Sequence, residues 1–517
     1  MSSGARIEQQ PEAAAPAGTE APTFIRIHPN DDVAVAVRAL ASGERLSVDG
    51  ATLTIADDIP AGHKFALRPI AAGEPVHKYG FPIGVATEPI PTGAWIHSHN
   101  LRTRLEGVVE YEYRRRSAPR PAPPAAMPVF HGYRRANGRV GTRNEVWIVN
   151  TVGCVNAAAE RIARVANDRF AGAIDGVHAF SHPYGCSQLG DDLRNTQRVL
   201  AGLIRHPNAG GVLVLGLGCE NNQLDDLLRT AGDVDPERIR FFNTQDVLDE
   251  VDEGVDAVAE LVQRMQGDRR LEYPASELIL GHKCGGSDGF SGVTANPLVG
   301  RIADRLTALG GGVILSEVPE MFGAEQVLMD RAANEGVFRD IDAMVNDFKS
   351  YFLRHGQPVY ENPSPGNKAG GLTTLEEKSL GAVQKGGQAT VTRVLRYGDL
   401  GDTGGLSLLE APGNDGVSST AMIASGATLL LFTTGRGTPL GFPVPTLKIS
   451  TNSAIAAKKP HWIDFNAGAL LDGDGTMDSL VDDLFALVLD VASGRRRTNN
   501  ETHDYREIAI WKEGVTL

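Results

Sequence analysis

The chain has four cysteines, and all four share one context. Each follows an apolar run and has a glycine neighbour: Gly153-Cys154, Gly185-Cys186, Gly218-Cys219 and Cys284-Gly285. Thiolates are soft ligands for iron or zinc, and thiols are nucleophiles. Cysteine is also a small hydrophobe that fills tight turns, which is the plain alternative. The spacing matches neither CxxC nor a ferredoxin pattern, so a shared centre would assemble from distant segments. A mononuclear ion fits that spacing, and so does an iron–sulfur cluster on three thiolates. Polar side chains crowd the same places. His182 and Tyr184 precede Cys186, with Gln188, Asp191 and Asp192 after it; Glu220, Asn221 and Asn222 follow Cys219. Ser287, Asp288, Ser291, Thr294 and Asn296 follow Cys284. Capping by Thr294 or Asn296 before Pro297 explains one or two of these residues, not the set. Such dense hydroxyls and amides suit a polyhydroxylated ligand.

Histidines and cations supply the rest of the chemistry. His63 stands in Gly62-His63-Lys64, and His97 and His99 alternate in Ile96-His97-Ser98-His99-Asn100. On a strand, residues i and i+2 share a face, so the HxH pair is expected to share a ligand. A lone histidine is more commonly a satisfied structural residue. An acidic protein that binds an anionic small molecule needs local positive charge, and Lys64, Arg143, Lys368 and Arg436 are the candidates. Arg436 lies between glycines, where a guanidinium can clamp a carboxylate or simply face solvent in a turn. The segment NPSPGNKAGG (362–371) lacks the GxxxxGK[ST] pattern, so no nucleotide is assigned.

These residues need a scaffold. Beyond residue 130, strand-like runs alternate with helical patterns: strands at 145–152, 176–181, 211–217 and 278–280, and helices at 156–168, 247–265 and 298–309. That alternation predicts an α/β region with parallel sheet and crossovers. In such sheets ligands bind outside the carboxyl ends of the strands, where all four cysteines fall. Residues 24–113 show short apolar runs broken by Gly and Pro, which predicts a small β domain. The Ala/Pro-rich residues 1–23 read as a disordered tail, and the Pro-rich stretch 114–130 as an extended linker. Two α/β units are expected, 131–273 and 274–517.

Composition sets outer bounds. The 517 residues carry a net charge of −14, against a general nucleic-acid binder. No apolar run approaches a membrane span, and four cysteines make no secreted disulfide framework. No basic-then-apolar leader is read at the N-terminus, so the expected setting is the reducing cytoplasm.

The segments GHKFAL (62–67), HSHN (97–100), TVGCVN (151–156), SHPYGCSQLGDD (181–192), GLGCENNQ (216–223) and CGGSDGFSGVTANP (284–297) identify a resemblance, as do SEVPEMFGAEQ (316–326), ENPSPGNKAGG (361–371), FTTGRGTP (432–439) and HWIDFNAG (461–468). The chain resembles the altronate/galactarate dehydratase family of sugar-acid hydro-lyases from about residue 24 to its end. HSHN and PEMFGAEQ are more similar to the altronate branch. The resemblance implies a small N-terminal β-clip (antifreeze-like) domain, a larger α/β catalytic region and dependence on iron(II). It implies conversion of D-altronate to 2-dehydro-3-deoxy-D-gluconate and water, in hexuronate breakdown. A mononuclear Fe2+ is preferred over a cluster.

Loss of water from a 2,3-dihydroxy acid starts with removal of the weakly acidic C2 proton, and a divalent metal would stabilise the enediolate. On chemistry alone, His63 is the first choice for metal ligand or base, with His97 and His99 as further ligands. Cys154, Cys186, Cys219 and Cys284 are the soft ligands. His182, Tyr184 and Asp192 are acid/base candidates. Lys64, Ser287, Asp288, Asn296, Lys368 and Arg436 are assigned to substrate. Competing readings are dehydration of galactarate or another aldarate, sulfite elimination from a sulfo-acid, and a sugar-acid-binding regulatory protein without turnover. The partner is a small sugar acid, and a homo-oligomer is compatible with this size.

Overall fold

A computed structural model describes residues 21–114 and 126–517. The expected tail, except for its last three residues, and most of the expected linker lie outside the described residues.

The N-terminal β module is antiparallel throughout. Four short strands run in the order Phe24–Ile25, Val33–Ala36, Lys64–Ala66, Trp95–Ile96, and three more in the order Pro75–Lys78, Phe81–Ala86, Leu101–Arg102. Arg45–Val48 and Ala51–Thr54 form a hairpin whose turn, Asp49-Gly50, has positive φ at both residues (50° and 83°). That is the two-residue geometry Asp-Gly favours. The expected strand does not extend through the HxH segment. It ends at Ile96, and residues 97–100 turn, with Asn100 N donating to His97 O (3.1 Å) and His97 N to Asn100 Oδ1 (3.0 Å). Alternation therefore does not govern His97 and His99.

Two parallel sheets follow, as the alternation predicts. The first has four strands in the order Val177–Ala179, Glu145–Asn150, Ala209–Gly216, Ile239–Asn243. The second has seven, in the order Val391–Leu395, Gly405–Leu409, Gly312–Leu315, Ile279–Cys284, Leu429–Thr434, Thr446–Ser450, Phe465–Asn466. Its middle strands are buried on both faces, as in a sheet covered by helices on both sides. The chain leaves Ile279–Cys284 toward Gly312–Leu315 on one side and later returns on the other at Leu429–Thr434. The strand order thus reverses beside Cys284, and a crevice opens at such a switch point.

The β module docks on the seven-stranded unit through close backbone contact and a buried ion network. A Cβ at Gly289 or Gly371 would overlap the carbonyl oxygen of Gly62, so both positions require glycine. Lys64 Nζ and Lys78 Nζ each lie 2.8 Å from the carboxylate of Glu377, and all three side chains are buried. The Asn362–Gly371 loop contains one short helix, Pro365–Ala369, closed by a capping box between Ser364 and Asn367.

Candidate functional site

Cys284 ends the central strand and is buried. After the neighbouring strand, Glu317 sits in the left-handed region (φ 72°, ψ 55°) and starts the turn Val318–Glu320. A non-glycine residue held there stores strain, a recurrent mark of functional sites. The turn brings both carboxylates to the thiol. Cys284 Sγ lies 3.4 Å from Glu320 Oε2 and 3.7 Å from Glu317 Oε1. Ligand atoms of Cys284, Glu317 and Glu320 all fall within 4.8 Å of one another, and no other such trio of His, Cys, Asp or Glu occurs among the described residues.

Three lysines ring this trio. Lys385 Nζ is 2.8 Å from Cys284 Sγ and 3.1 Å from Glu317 Oε2. Lys283 Nζ contacts Glu317 and lies 2.8 Å from Asp415 Oδ1. Lys378 Nζ is 2.9 Å from Glu320 Oε1 and also donates to Asn362 and Asn367. Burial pushes the Cys284 thiol up to about 12, with Glu317 adding to the rise and Lys385 opposing it. Burial also raises the Glu320 carboxyl, but Lys378, Lys283 and Lys385 outweigh it and hold it at about 2. Burial disfavours the Lys283 ammonium, yet Asp415 and Glu317 hold its pKa well above the usual value. One soft sulfur donor and two carboxylates, with positive charge beside them, fit a divalent cation and an oxyanion together.

The crevice rim carries further polar groups. Asn367 Nδ2 donates to Ser287 O (2.8 Å), and Arg436 N to Gly286 O (3.1 Å). Lys368 and Arg436 therefore flank the Gly286–Ser287 segment. Neither side-chain cation has a hydrogen-bond or ion-pair partner among the described residues. Asp288 is buried and accepts from Thr451, Asn452, Ser291 and the Phe290 N–H; burial raises its carboxyl pKa against those bonds. Asn296 bridges Thr433 and Gly381 O. A cavity of about 470 Å³ lies at the amino ends of Val391–Leu395 and Gly405–Leu409, away from this edge.

The other residues singled out in the sequence fall in two places. His63 and His97 face the Pro365–Ala369 loop, with ring centroids 5.3 Å apart. His63 Nε2 faces Ala369 O (3.4 Å) and its Nδ1 accepts from Trp95 Nε1 (3.2 Å); His97 Nε2 is 2.9 Å from Lys368 O. Burial lowers both imidazoles, His63 to about 4. His99 is exposed and packs on Trp95. Lys64 is consumed by Glu377, and Arg143 by a buried two-bond pairing with Glu501 (2.7 and 3.0 Å). Cys154, Cys186 and Cys219 lie on loops of the four-stranded sheet and are exposed, whereas Cys284 ends a strand of the seven-stranded sheet and is buried. Beside them, buried His182 bonds Asn150 O (2.9 Å) and stacks on Tyr184. Asp192 accepts from the N–H groups of Glu513 and Gly514, tying down the C-terminal segment.

This arrangement can be compared with known proteins. Three profiles match in succession: "Altronate/galactarate dehydratase SAF domain" over 22–104, "D-galactarate dehydratase/Altronate hydrolase, second domain" over 132–266, and "D-galactarate/Altronate dehydratase, C-terminal" over 275–516. An altronate dehydratase of Escherichia coli (strain K12) is 52% identical over 500 residues, 96% of this chain and 100% of that protein. An altronate dehydratase of Bacillus subtilis (strain 168) is 51% identical over 497 residues, with the same shares covered. The chain belongs to the altronate/galactarate dehydratase family. Within that family, the galactarate dehydratase (L-threo-forming) of Escherichia coli is 36% identical over 498 residues, 93% of this chain and 95% of that protein. The N-terminal β module of the family fold is thus the SAF domain, followed by the two parallel sheets.

Sequence reasoning missed Glu317, Glu320, Lys283, Lys378 and Lys385. A signal existed in Ser316-Glu317-Val318-Pro319-Glu320, two carboxylates three residues apart on a proline-bearing turn after an apolar strand. Lys283 directly precedes Cys284. Lys378 and Lys385 had no such signal, and only the tertiary fold buries them.

Proposed function

We propose that this protein is a hydro-lyase that dehydrates D-altronate to 2-dehydro-3-deoxy-D-gluconate. The observation that carries this reading is the Cys284–Glu317–Glu320 trio at the switch-point crevice, ringed by buried lysines and flanked by two unpartnered cations. The two altronate dehydratases matched end to end support the substrate, and the 36% match to a galactarate dehydratase places aldarates second.

Cys284 Sγ and the carboxylates of Glu317 and Glu320 would hold one Fe2+. When bound, that ion supplies electron withdrawal from the substrate carboxylate and 2-hydroxyl, which makes the C2 proton easier to remove. Lys368 and Arg436 bind the substrate carboxylate at the rim. Lys283 and Lys385 keep fixed positive charge where the enediolate develops, and being buried they need no reorganisation during reaction. Lys378 Nζ, steadied by Glu320, Asn362 and Asn367, donates the proton that the departing 3-hydroxyl requires and is restored by the proton released from C2, so the two transfers balance. His63 and His97 hold the carbonyls of Ala369 and Lys368, and so set the position of Asn367 and Lys368 rather than reacting. The β module then serves as the wall that fixes the loop over the crevice. Residues 24–113 form that module, 114–130 its tether, and the cytoplasm is the setting.

The test is a panel of sugar acids, assayed for 2-oxo acid formation before and after iron removal by a chelator. D-Altronate turnover is expected, lost on chelation and restored by Fe2+ under reducing conditions. Turnover of galactarate in preference to altronate, or full activity in iron-free protein, contradicts the proposal.

A further inference from the structure

We propose that Cys154, Cys186 and Cys219 form a second inorganic centre, separate from Cys284: a three-thiolate seat for a four-iron, four-sulfide cluster. The proposal goes beyond the dehydratase reading and does not depend on it.

The three cysteines stand on the loops that leave three adjacent parallel strands, Val177–Ala179, Glu145–Asn150 and Ala209–Gly216, at one edge of the four-stranded sheet. The loops are bonded to one another next to each thiol. Gly153 N donates to Tyr184 O (2.9 Å), and Asn222 N to Gly185 O (2.9 Å). Ser187 N donates to Asn221 Oδ1 (2.7 Å), and Asn222 Nδ2 to Thr151 O (2.8 Å). A Cβ at Gly185 would overlap the Thr151 carbonyl, and one at Gly153 the His182 carbonyl. Ser187, the neighbour of Cys186, is held at φ 58°, a conformation that costs energy for a non-glycine residue. Rigid, closely packed backbone therefore underlies the three sulfurs.

The thiols themselves are exposed. Free cysteine is among the most buried residue types, so a packing role does not account for three exposed ones on one edge. Other ligands nearby are already engaged. His182 uses Nε2 on Asn150 O and Nδ1 on Tyr184 N. Glu220 accepts from Thr151 Oγ1, Leu217 N and Gly218 N. The sulfurs remain open to a ligand, with Gln245 Nε2 at 3.6 Å from Cys219 Sγ and Ser187 Oγ at 3.7 Å from Cys186 Sγ. An all-sulfur donor set selects soft centres. The three sulfurs do not form a trio of ligand atoms within 4.8 Å, the spacing at which Cys284, Glu317 and Glu320 stand. A polynuclear cluster bridges wider gaps, because each thiolate binds a different iron. Two ferric and two ferrous ions with four sulfides make the oxidised cluster with no net electron transfer, and each thiol releases its proton to solvent as its iron–sulfur bond forms. The fourth iron has no protein sulfur.

The experiment is anaerobic reconstitution of the full chain with equal ferrous and ferric iron plus sulfide. Desalting, assay of iron and acid-labile sulfide, and electron paramagnetic resonance after reduction follow. Sulfide is decisive, since the Cys284 site takes iron only. About four sulfides per chain are expected, retained in C284S and lost in each of C154S, C186S and C219S, with thermal midpoints unchanged because the thiols are exposed. Absence of bound sulfide in the parent chain, iron without sulfide, or full sulfide in the C154S/C186S/C219S triple variant overturns the proposal. Loss of altronate turnover with sulfide retained would strike the dehydratase reading alone.

Discussion

Replacing Glu377 by glutamine tests how the β module is fastened to the catalytic unit. Its carboxylate is shared by Lys64 and Lys78 at 2.8 Å each, with all three groups out of solvent. Burial pushes the Glu377 carboxyl up, but the two ammoniums outweigh it and hold it at about 2. Burial already brings Lys64 down to about 8 with the carboxylate present. In E377Q two like charges would share a dry pocket with no counter-ion, so Lys64 gives up its proton or the pocket opens to water. Breaking one member of a buried ion network costs about 3–5 kcal/mol. Linkage gives a similar figure. A carboxyl at about 2 when folded, against 4.5 ordinarily, contributes about 3 kcal/mol above pH 4.5, lost as pH falls from there toward 2. At roughly 4–8 °C per kcal/mol for a unit of this size, the midpoint of the transition that releases the β module should drop by on the order of 20 °C. Calorimetry with limited proteolysis reads it. The apolar triple variant K64M/K78M/E377M should recover most of the loss, because no ion remains unpaired. An E377Q midpoint within about 2 °C of the parent would refute the reasoning.

Three further outcomes are expected. R143A should lower stability by about 3–5 kcal/mol while leaving KM for altronate unchanged, because its guanidinium faces Glu501 rather than substrate; a KM rise in folded protein would return Arg143 to the site. Burial holds the His206 imidazole at about 3, so the unfolded chain takes up a proton below pH 6.5 that the folded chain refuses, and stability falls with acidity. Urea unfolding of H206Q should lose about 2 kcal/mol less than the parent between pH 7.5 and 5; equal losses would remove His206 as the cause. K368A and R436A should each raise KM about tenfold or more with kcat little changed, measured by steady-state kinetics; an unchanged KM in the double variant would exclude both from carboxylate binding.

Much of the fold was legible because local signals agreed with it. The helix expected at 156–168 is Asn156–Arg169, and the Asp49-Gly50 turn sits where Asp-Gly belongs. A cysteine beside glycine at or after each apolar run marked the loops at the carboxyl ends of the strands. What the sequence could not say is which sheet each end belongs to. Cys284 joins the seven-stranded sheet and the other three the four-stranded one, because the split depends on crossovers hundreds of atoms away. His97 and His99 were read as a strand pair, yet Asn100 bonds back to His97 and converts the segment to a turn. The lysines around Cys284 were not singled out, since an ammonium is buried only where tertiary carboxylates such as Glu317 and Glu320 meet it. Arg143 and Lys64 carried the right charge for substrate, but each had a buried carboxylate waiting far along the chain.

The account rests most directly on Glu317, whose strained turn brings carboxylate, thiol and two ammoniums together. The decisive measurement is kcat/KM for altronate dehydration in E317Q, with folding monitored by thermal midpoint and Fe2+ binding by titration. We predict a fall of about a thousandfold with weakened iron binding in a folded chain. Near-parental turnover in folded E317Q would contradict the assignment of this crevice as the reaction centre.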